Sequence, residues 1–137
     1  MNAEVKPRVI VIDDEHEVRT WLKGLLTTLG CEIVGEAENG REGLELFMKE
    51  RPDLVLLDLM MPVMTGAETR KFILGEDPDA HIVLLTSVTD EKVVMAEFFA
   101  GVEYYLRKDR SPDEIKAALQ ENIEKVKSNL GKSRDNE

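Results

Sequence analysis

Two hydrophobic periods alternate along the chain. Runs with almost no polar interruption recur at residues 8–12 (RVIVI), 54–57 (LVLL) and 81–86 (HIVLLT), and such runs suit strands buried on both faces of a parallel sheet. Between them the apolar spacing changes to three and four. Val18, Leu22, Leu25, Leu26 and Leu29 form one helical stripe, closed by Gly30 and bordered by Trp21, which reads as packing. Leu44, Phe47 and Met48 form the inward face of a second helix, capped by Asn39 and Gly40 and running through Glu50. Thr65 and Glu68 have the spacing of a capping box that opens a third helix to about Gly75, with Ala67, Phe72 and Ile73 as core residues. Thr89 or Asp90 caps a fourth, to about Ala100. Ser111, Pro112 and Glu114 open a fifth, whose stripe is Ile115, Leu119, Ile123 and Val126.

Two weaker strands complete the pattern: 32–37 (EIVGEA), with the alternating polarity of an edge, and 102–106 (VEYYL). Five strands alternating with five helices through short loops predict an α/β fold. Its form would be a parallel sheet covered on both faces, in the flavodoxin-like strand order 2-1-3-4-5. Residues 1–7 read as a short arm, 8–130 as one domain, and 131–137 as a disordered polar tail.

Composition narrows the partners. The 137 residues carry 18 Lys and Arg against 28 Asp and Glu, a net charge of -10, which argues against a primary nucleic-acid surface. A lone cysteine, Cys31, excludes an intramolecular disulfide and suits a reducing cytosol. No apolar run approaches the roughly 20 residues of a membrane span, and no signal-peptide segment opens the chain. The expectation is a soluble cytoplasmic domain without membrane insertion.

Candidate chemistry lies where the buried runs stop. In an open α/β sheet the carboxyl ends of the strands line the ligand crevice. Here those ends carry Asp13 and Asp14, Asp58, Thr86 with Ser87, and Lys108. After Asp58, the residues Met61, Pro62 and Gly66 enforce a turn. Three carboxylates within a few ångströms repel each other in a poorly hydrated site, and a hard divalent cation such as Mg²⁺ relieves that. Lys108 and the Thr86 hydroxyl would offer a point charge and a donor to phosphoryl oxygens. Such a set suits holding a phosphoryl group on or beside a carboxylate. His16 reads as solvated, and Met60, Met61 and Met64 as loop packing.

The chain resembles a response-regulator receiver domain of the single-domain chemotaxis type over about residues 8–127. The matching motifs are DDE at 13–15, DLMMPVMTG at 58–66, TS at 86–87 and YLRK at 105–108. The resemblance implies a two-component phosphorelay in which Asp58 accepts a phosphoryl group from a sensor histidine kinase or a histidine phosphotransfer protein. It also implies Mg²⁺ held by Asp14, Asp58 and the Met60 backbone carbonyl, with Asp13 acting through water. Lys108 would pair with the aspartyl phosphate, Thr86 would move to bond it, and Tyr105 would turn inward. The output surface would be the fourth helix, fifth strand and fifth helix, contacting a downstream target or a second copy. Met60 and Val88, flanking the pocket, would tune the lifetime of the acyl phosphate, with slow self-dephosphorylation and no further enzymatic activity.

Two features depart from the family pattern. Lys108 is followed by Asp109 rather than proline, and a cis bond there would cost about 3–4 kcal/mol. The Lys-Asp form resembles receivers that precede a helix-turn-helix domain, so the chain is either a stand-alone receiver or a fragment of a longer transcriptional regulator. The second departure is the fourth helix, where Val93, Val94, Met95, Ala96, Phe98, Phe99 and Ala100 leave only Glu97 polar. Val94, Met95, Phe98 and Phe99 are therefore candidates for a partner or self-association surface. Other readings are a non-phosphorylated docking module, an aspartyl-phosphate hydrolase of the haloacid dehalogenase type, and a flavodoxin-type electron carrier. Against the second, position 60 is methionine where that type has aspartate. Against the third, acids after the first strand would repel a cofactor phosphate.

Overall fold

A computed structural model describes residues 5–87, 92 and 104–135, with side chains described as far as Gly131. Val88 and the apolar candidates Val94, Met95, Phe98 and Phe99 lie outside the described residues.

Five parallel strands form one sheet in the order β2-β1-β3-β4-β5, as the alternation of elements predicts. They are β1 (Arg8–Ile12), β2 (Glu32–Ala37), β3 (Leu54–Asp58), β4 (Ile82–Thr86) and β5 (Tyr105–Arg107). The three central strands are buried almost along their whole length. Edge strand β2 is half-exposed, and its register against β1 shifts between Val9 and Ile10, the bulge that edges commonly carry.

Successive side chains of each strand enter opposite layers. Val9, Val11, Leu54 and Leu56 pack with Leu22 and Leu26 of α1 (His16–Thr28) and with Ile115, Leu119 and Ile123 of the C-terminal helix (Pro112–Asp135). Ile10, Ile12, Val55 and Leu57 face the other way, onto Phe47 of α2 (Gly40–Glu50) and Ile73 of α3 (Gly66–Glu76). Each such side chain contributes roughly 1.5–3 kcal/mol by leaving water. Three of the four capping boundaries read from sequence are present: the Asn39 side chain accepts from Glu42 N–H, Thr65 and Glu68 bond reciprocally, and Ser111 Oγ accepts from Glu114 N–H; the fourth, at Thr89 or Asp90, lies outside the described residues.

Several inward assignments differ. Met48, Phe72 and Trp21 are 41%, 54% and 43% exposed. The buried stripe of α2 is Gly40, Gly43 and Phe47, and that of α3 is Gly66, Thr69 and Ile73. Small residues hold these faces because the backbones approach closely. A Cβ on Gly43 would lie 2.6 Å from Ile12 Cδ1, and one on Gly40 would lie 2.0 Å from Thr69 Oγ1. Met48 and Phe72 are then rotated off the buried stripe by one residue. The C-terminal helix continues past Gly131 to Asp135, where the sequence pattern predicts a polar tail; once a helix is nucleated, extending it through a glycine costs only about 1 kcal/mol.

Candidate functional site

The chemistry-bearing residues stand one position beyond, or at, the end of each buried strand. Asp13 follows β1 and is fully buried. Its N–H donates to the Ala37 carbonyl at 3.0 Å, and its Oδ1 accepts from Glu15 N–H at 2.9 Å. Asp58 ends β3 and Thr86 ends β4, both buried. Lys108 follows β5, and its N–H continues the ladder to the Thr86 carbonyl at 2.7 Å. The sheet therefore delivers these groups to one place: Lys108 Nζ lies 2.8 Å from Asp13 Oδ2, 3.3 Å from Asp58 Oδ1 and 3.4 Å from Glu15 Oε1.

Charge at this rim is unbalanced. Carboxylate oxygens of Asp13, Asp14 and Asp58 all lie within 4.8 Å of one another. Burial first, then the neighbouring Asp13 charge, push the Asp58 carboxyl up to about 7, with Lys108 opposing them and Asp14 adding to the rise. For Lys108, burial alone would lower the pKa, but Asp13, Asp58 and Glu15 outweigh it and the net direction is up. Asp13 Oδ2 is buried and has the ammonium as a close charge, yet among the described residues no donor is aligned on it as a hydrogen bond. Oxygen donors crowded in this way, one of them without an aligned hydrogen, fit a hard cation.

The loop after β3 is tightly folded over Asp58. Met60 N–H points at Asp58 Oδ1 at 3.4 Å, Leu59 N–H bonds Leu85 O and Gly66 N–H bonds Leu59 O, both at 2.9 Å. A Cβ on Gly66 would lie 2.2 Å from the Asp58 carbonyl oxygen, so glycine is required by contact here, not by turn geometry. Val63 adopts φ 71° and is 76% exposed, an unusual state for a β-branched residue. Met61 packs into the core and Met64 is half-buried, but Met60 is 49% exposed and does not pack as the sequence suggests.

Asp13, Asp14, Asp58 and Lys108 are thus brought together, with Thr86 beside them and Ser87 half-buried next in the chain. Tyr105 is 52% exposed and is not part of the cluster. The Lys108–Asp109 bond is trans, and Asp109 pairs with Arg107 at 2.7 Å. His16 is exposed, as expected. Glu15, read from sequence as part of the DDE motif but given no role in the pocket, reaches Lys108. Arg19 escaped the sequence reading: it is buried with its guanidinium on the Asp13 carbonyl at 2.7 Å. Periodicity carried a signal for Arg19, since positions 19, 22 and 26 share one helix face.

Residues 9–120 match the family described as response regulator receiver domain. The chain belongs to that family. Chemotaxis protein CheY of Thermotoga maritima is 35% identical to this receiver over 112 residues, covering 82% of this chain and 93% of that protein. The uncharacterized transcriptional regulatory protein YhcZ of Bacillus subtilis is 38% identical over 109 residues, covering 79% of the receiver and 51% of YhcZ. The nitrate/nitrite response regulator NarL of Escherichia coli is 35% identical, and the receiver spans 56% of it. Against NarL and YhcZ, then, the receiver accounts for about half the length of the relative. Among solved structures, the receiver domain of AraT from Geobacillus stearothermophilus superposes with a TM-score of 0.79 at 28% identity, over 95% of this chain and 99% of that one. Membership in this family sets aside the dehalogenase and flavodoxin readings. No helix among the described residues is long and apolar enough to cross a membrane.

Proposed function

We propose that this receiver takes a phosphoryl group onto Asp58 from a phosphohistidine of a sensor kinase or phosphotransfer protein, in the cytoplasm, and uses the change to alter a protein-binding face. The observation that carries the reading is the convergence of one lysine on Asp13 and Asp58, with Asp14 completing a triad of acids. A structural role for this cluster has little to recommend it, because crowded buried carboxylates oppose folding.

A lone pair of an Asp58 carboxylate oxygen forms the new O–P bond, and the P–N bond pair leaves with the donor imidazole. Asp58 must be ionised to do this. Lys108 supports the ionised form from 3.3 Å and is placed to hold a phosphoryl oxygen afterwards. Mg²⁺, held by Asp14, Asp58 and the Met60 carbonyl with Asp13 through water, would neutralise charge among the acids and the phosphoryl oxygens. The added group brings roughly 1.5–2 negative charges and three acceptor oxygens. Thr86, at the end of β4 and tied to Lys108 through the backbone, is the hydroxyl positioned to respond. Tyr105, half-exposed on the neighbouring strand, would turn inward in response. Water then attacks phosphorus and regenerates Asp58, and exposed Met60 borders that approach.

Intact mass after incubation with acetyl phosphate tests this. A gain of one phosphoryl group that requires Mg²⁺ and is absent in Asp58→Ala supports the reading. Folded protein that gains nothing under any condition overturns it in favour of a docking module.

A further inference from the structure

The strongest unassigned feature is a buried cation outside the pocket. Arg19 lies one helical turn beyond the acidic loop, is 9% exposed, and carries three contacts. Its Nη1 donates to the Asp13 carbonyl at 2.7 Å in a buried setting, its Nε donates to Glu36 Oε1 at 2.8 Å, and its Nη2 lies 3.5 Å from His16 Nδ1. Glu36 is drawn in from the other side by Lys23. Its carboxyl is held below the ordinary range by Lys23 and Arg19, so it stays ionised and keeps the guanidinium in place.

What Arg19 touches matters more than its charge. The Asp13 carbonyl and the Asp14 N–H belong to one rigid peptide plane. Asp13 is held by its own N–H on Ala37, and its Oδ1 accepts from Glu15 N–H in a turn that closes over this plane. The Arg19 bond fixes the plane from its carbonyl side, and with it the direction in which Asp14 leaves the chain. Asp14 is exposed, and its carboxyl lies within hydrogen-bond reach of Asp58. A guanidinium can satisfy the carbonyl and Glu36 together through its fixed fork; a lysine reaches one of them.

We infer that Arg19 is a positioning residue for the phosphoacceptor site: braced by Glu36 on the edge strand, it sets the Asp13–Asp14 peptide so that both carboxylates face Asp58. This rests on the receiver reading of Asp58 and the cation. Outer contacts that orient ligands typically change cation affinity by 10–100-fold, so the effect is measurable without any phosphoryl transfer.

The test uses Mn²⁺ as the probe, its affinity followed by electron paramagnetic resonance well below the unfolding midpoint, in wild type, Arg19→Ala, Arg19→Lys, Glu36→Gln and Asp14→Ala. Arg19→Ala should bind Mn²⁺ about tenfold more weakly, Arg19→Lys should recover part of the loss, and Glu36→Gln should lose about two- to threefold. With acetyl phosphate, the Mg²⁺ concentration giving half-maximal phosphorylation should rise with Arg19→Ala, while the rate at saturating Mg²⁺ changes less than twofold. A residue that only stabilises the fold would lower the unfolding midpoint and leave Mn²⁺ affinity of the folded protein unchanged, and that result overturns the inference. If Arg19→Ala does not fold, Arg19→Lys and Glu36→Gln decide, and wild-type affinity in both overturns it. Wild-type protein that binds no Mn²⁺, or binds it equally well in Asp14→Ala, rejects the site reading itself.

Discussion

The two ends of the sheet handle charge in opposite ways. At the amino end, Arg8 is matched to its surroundings: its N–H donates to Asp53 Oδ2 at 2.8 Å, Nη1 to the Glu50 carbonyl at 2.7 Å, and Nη2 to the Glu50 carboxylate at 3.0 Å. At the carboxyl end, one lysine is divided among three acids, with a fourth nearby, and a buried oxygen has no aligned donor among the described residues. The strands between are the same apolar runs. One end is complete as folded, and the other is built with a deficit that a ligand can fill.

Removing the lysine that the acids of the crowded end share should give the largest effect. Lys108→Ala is expected to slow phosphorylation by acetyl phosphate about 100-fold or more at saturating Mg²⁺, as losing one charge-stabilising donor does elsewhere; an unchanged rate by intact mass would show that Lys108 serves only to balance the acids. Next comes pH. The Asp58 pKa is about 7 in the folded chain, above its ordinary unfolded value. Its stabilising contribution is therefore full below about pH 4 and is lost as pH rises through about 7. In EDTA, Asp58→Asn should be more stable than wild type at pH 8 by on the order of a few kcal/mol, with the gap closing toward pH 4 and shrinking when Mg²⁺ is added to wild type. Urea unfolding across that range checks the sign, and a gap that grows on acidification would contradict it.

The complete end should behave differently. Arg8→Ala is expected to cost about 1–2 kcal/mol in urea unfolding and to leave Mn²⁺ affinity unchanged, so a loss of affinity there would end the contrast. Smallest is Val63→Gly. Relieving a left-handed valine should stabilise by about 1 kcal/mol or less, and a destabilised variant would show that the exposed valine side chain contributes contacts of its own.

The contrast also explains what the sequence could reveal. Strands β1, β3 and β4 announce themselves because a strand buried on both faces tolerates no polar residue, and their ends stand out because the polarity changes at one position. Asp13, Asp14, Asp58 and Thr86 were picked out for that reason, whereas Lys108 was placed by the end of the weaker fifth strand. Met48 and Phe72 were misplaced because α2 and α3 bury glycine and threonine where the backbones approach, and a search for apolar stripes passes over small residues. Arg19 was hidden the opposite way: a charged residue on an apolar stripe looks like an interruption until its partner, a backbone carbonyl, is seen.

The rim also bears on how the chain reaches its native state. Glu15 and Lys108 meet across 93 residues of sequence, and Asp58 comes from a third strand between them. The acids of the cation site stand at the ends of β1 and β3, strands that pair directly although α1, β2 and α2 lie between them in sequence, so a cation that binds there counts chains in which those two strands have docked. Such a ligand selects against half-folded forms and raises the apparent unfolding midpoint by mass action. Because pairings this distant in sequence close late and slowly, added cation should act mainly by slowing unfolding, leaving the folding rate nearly as it was.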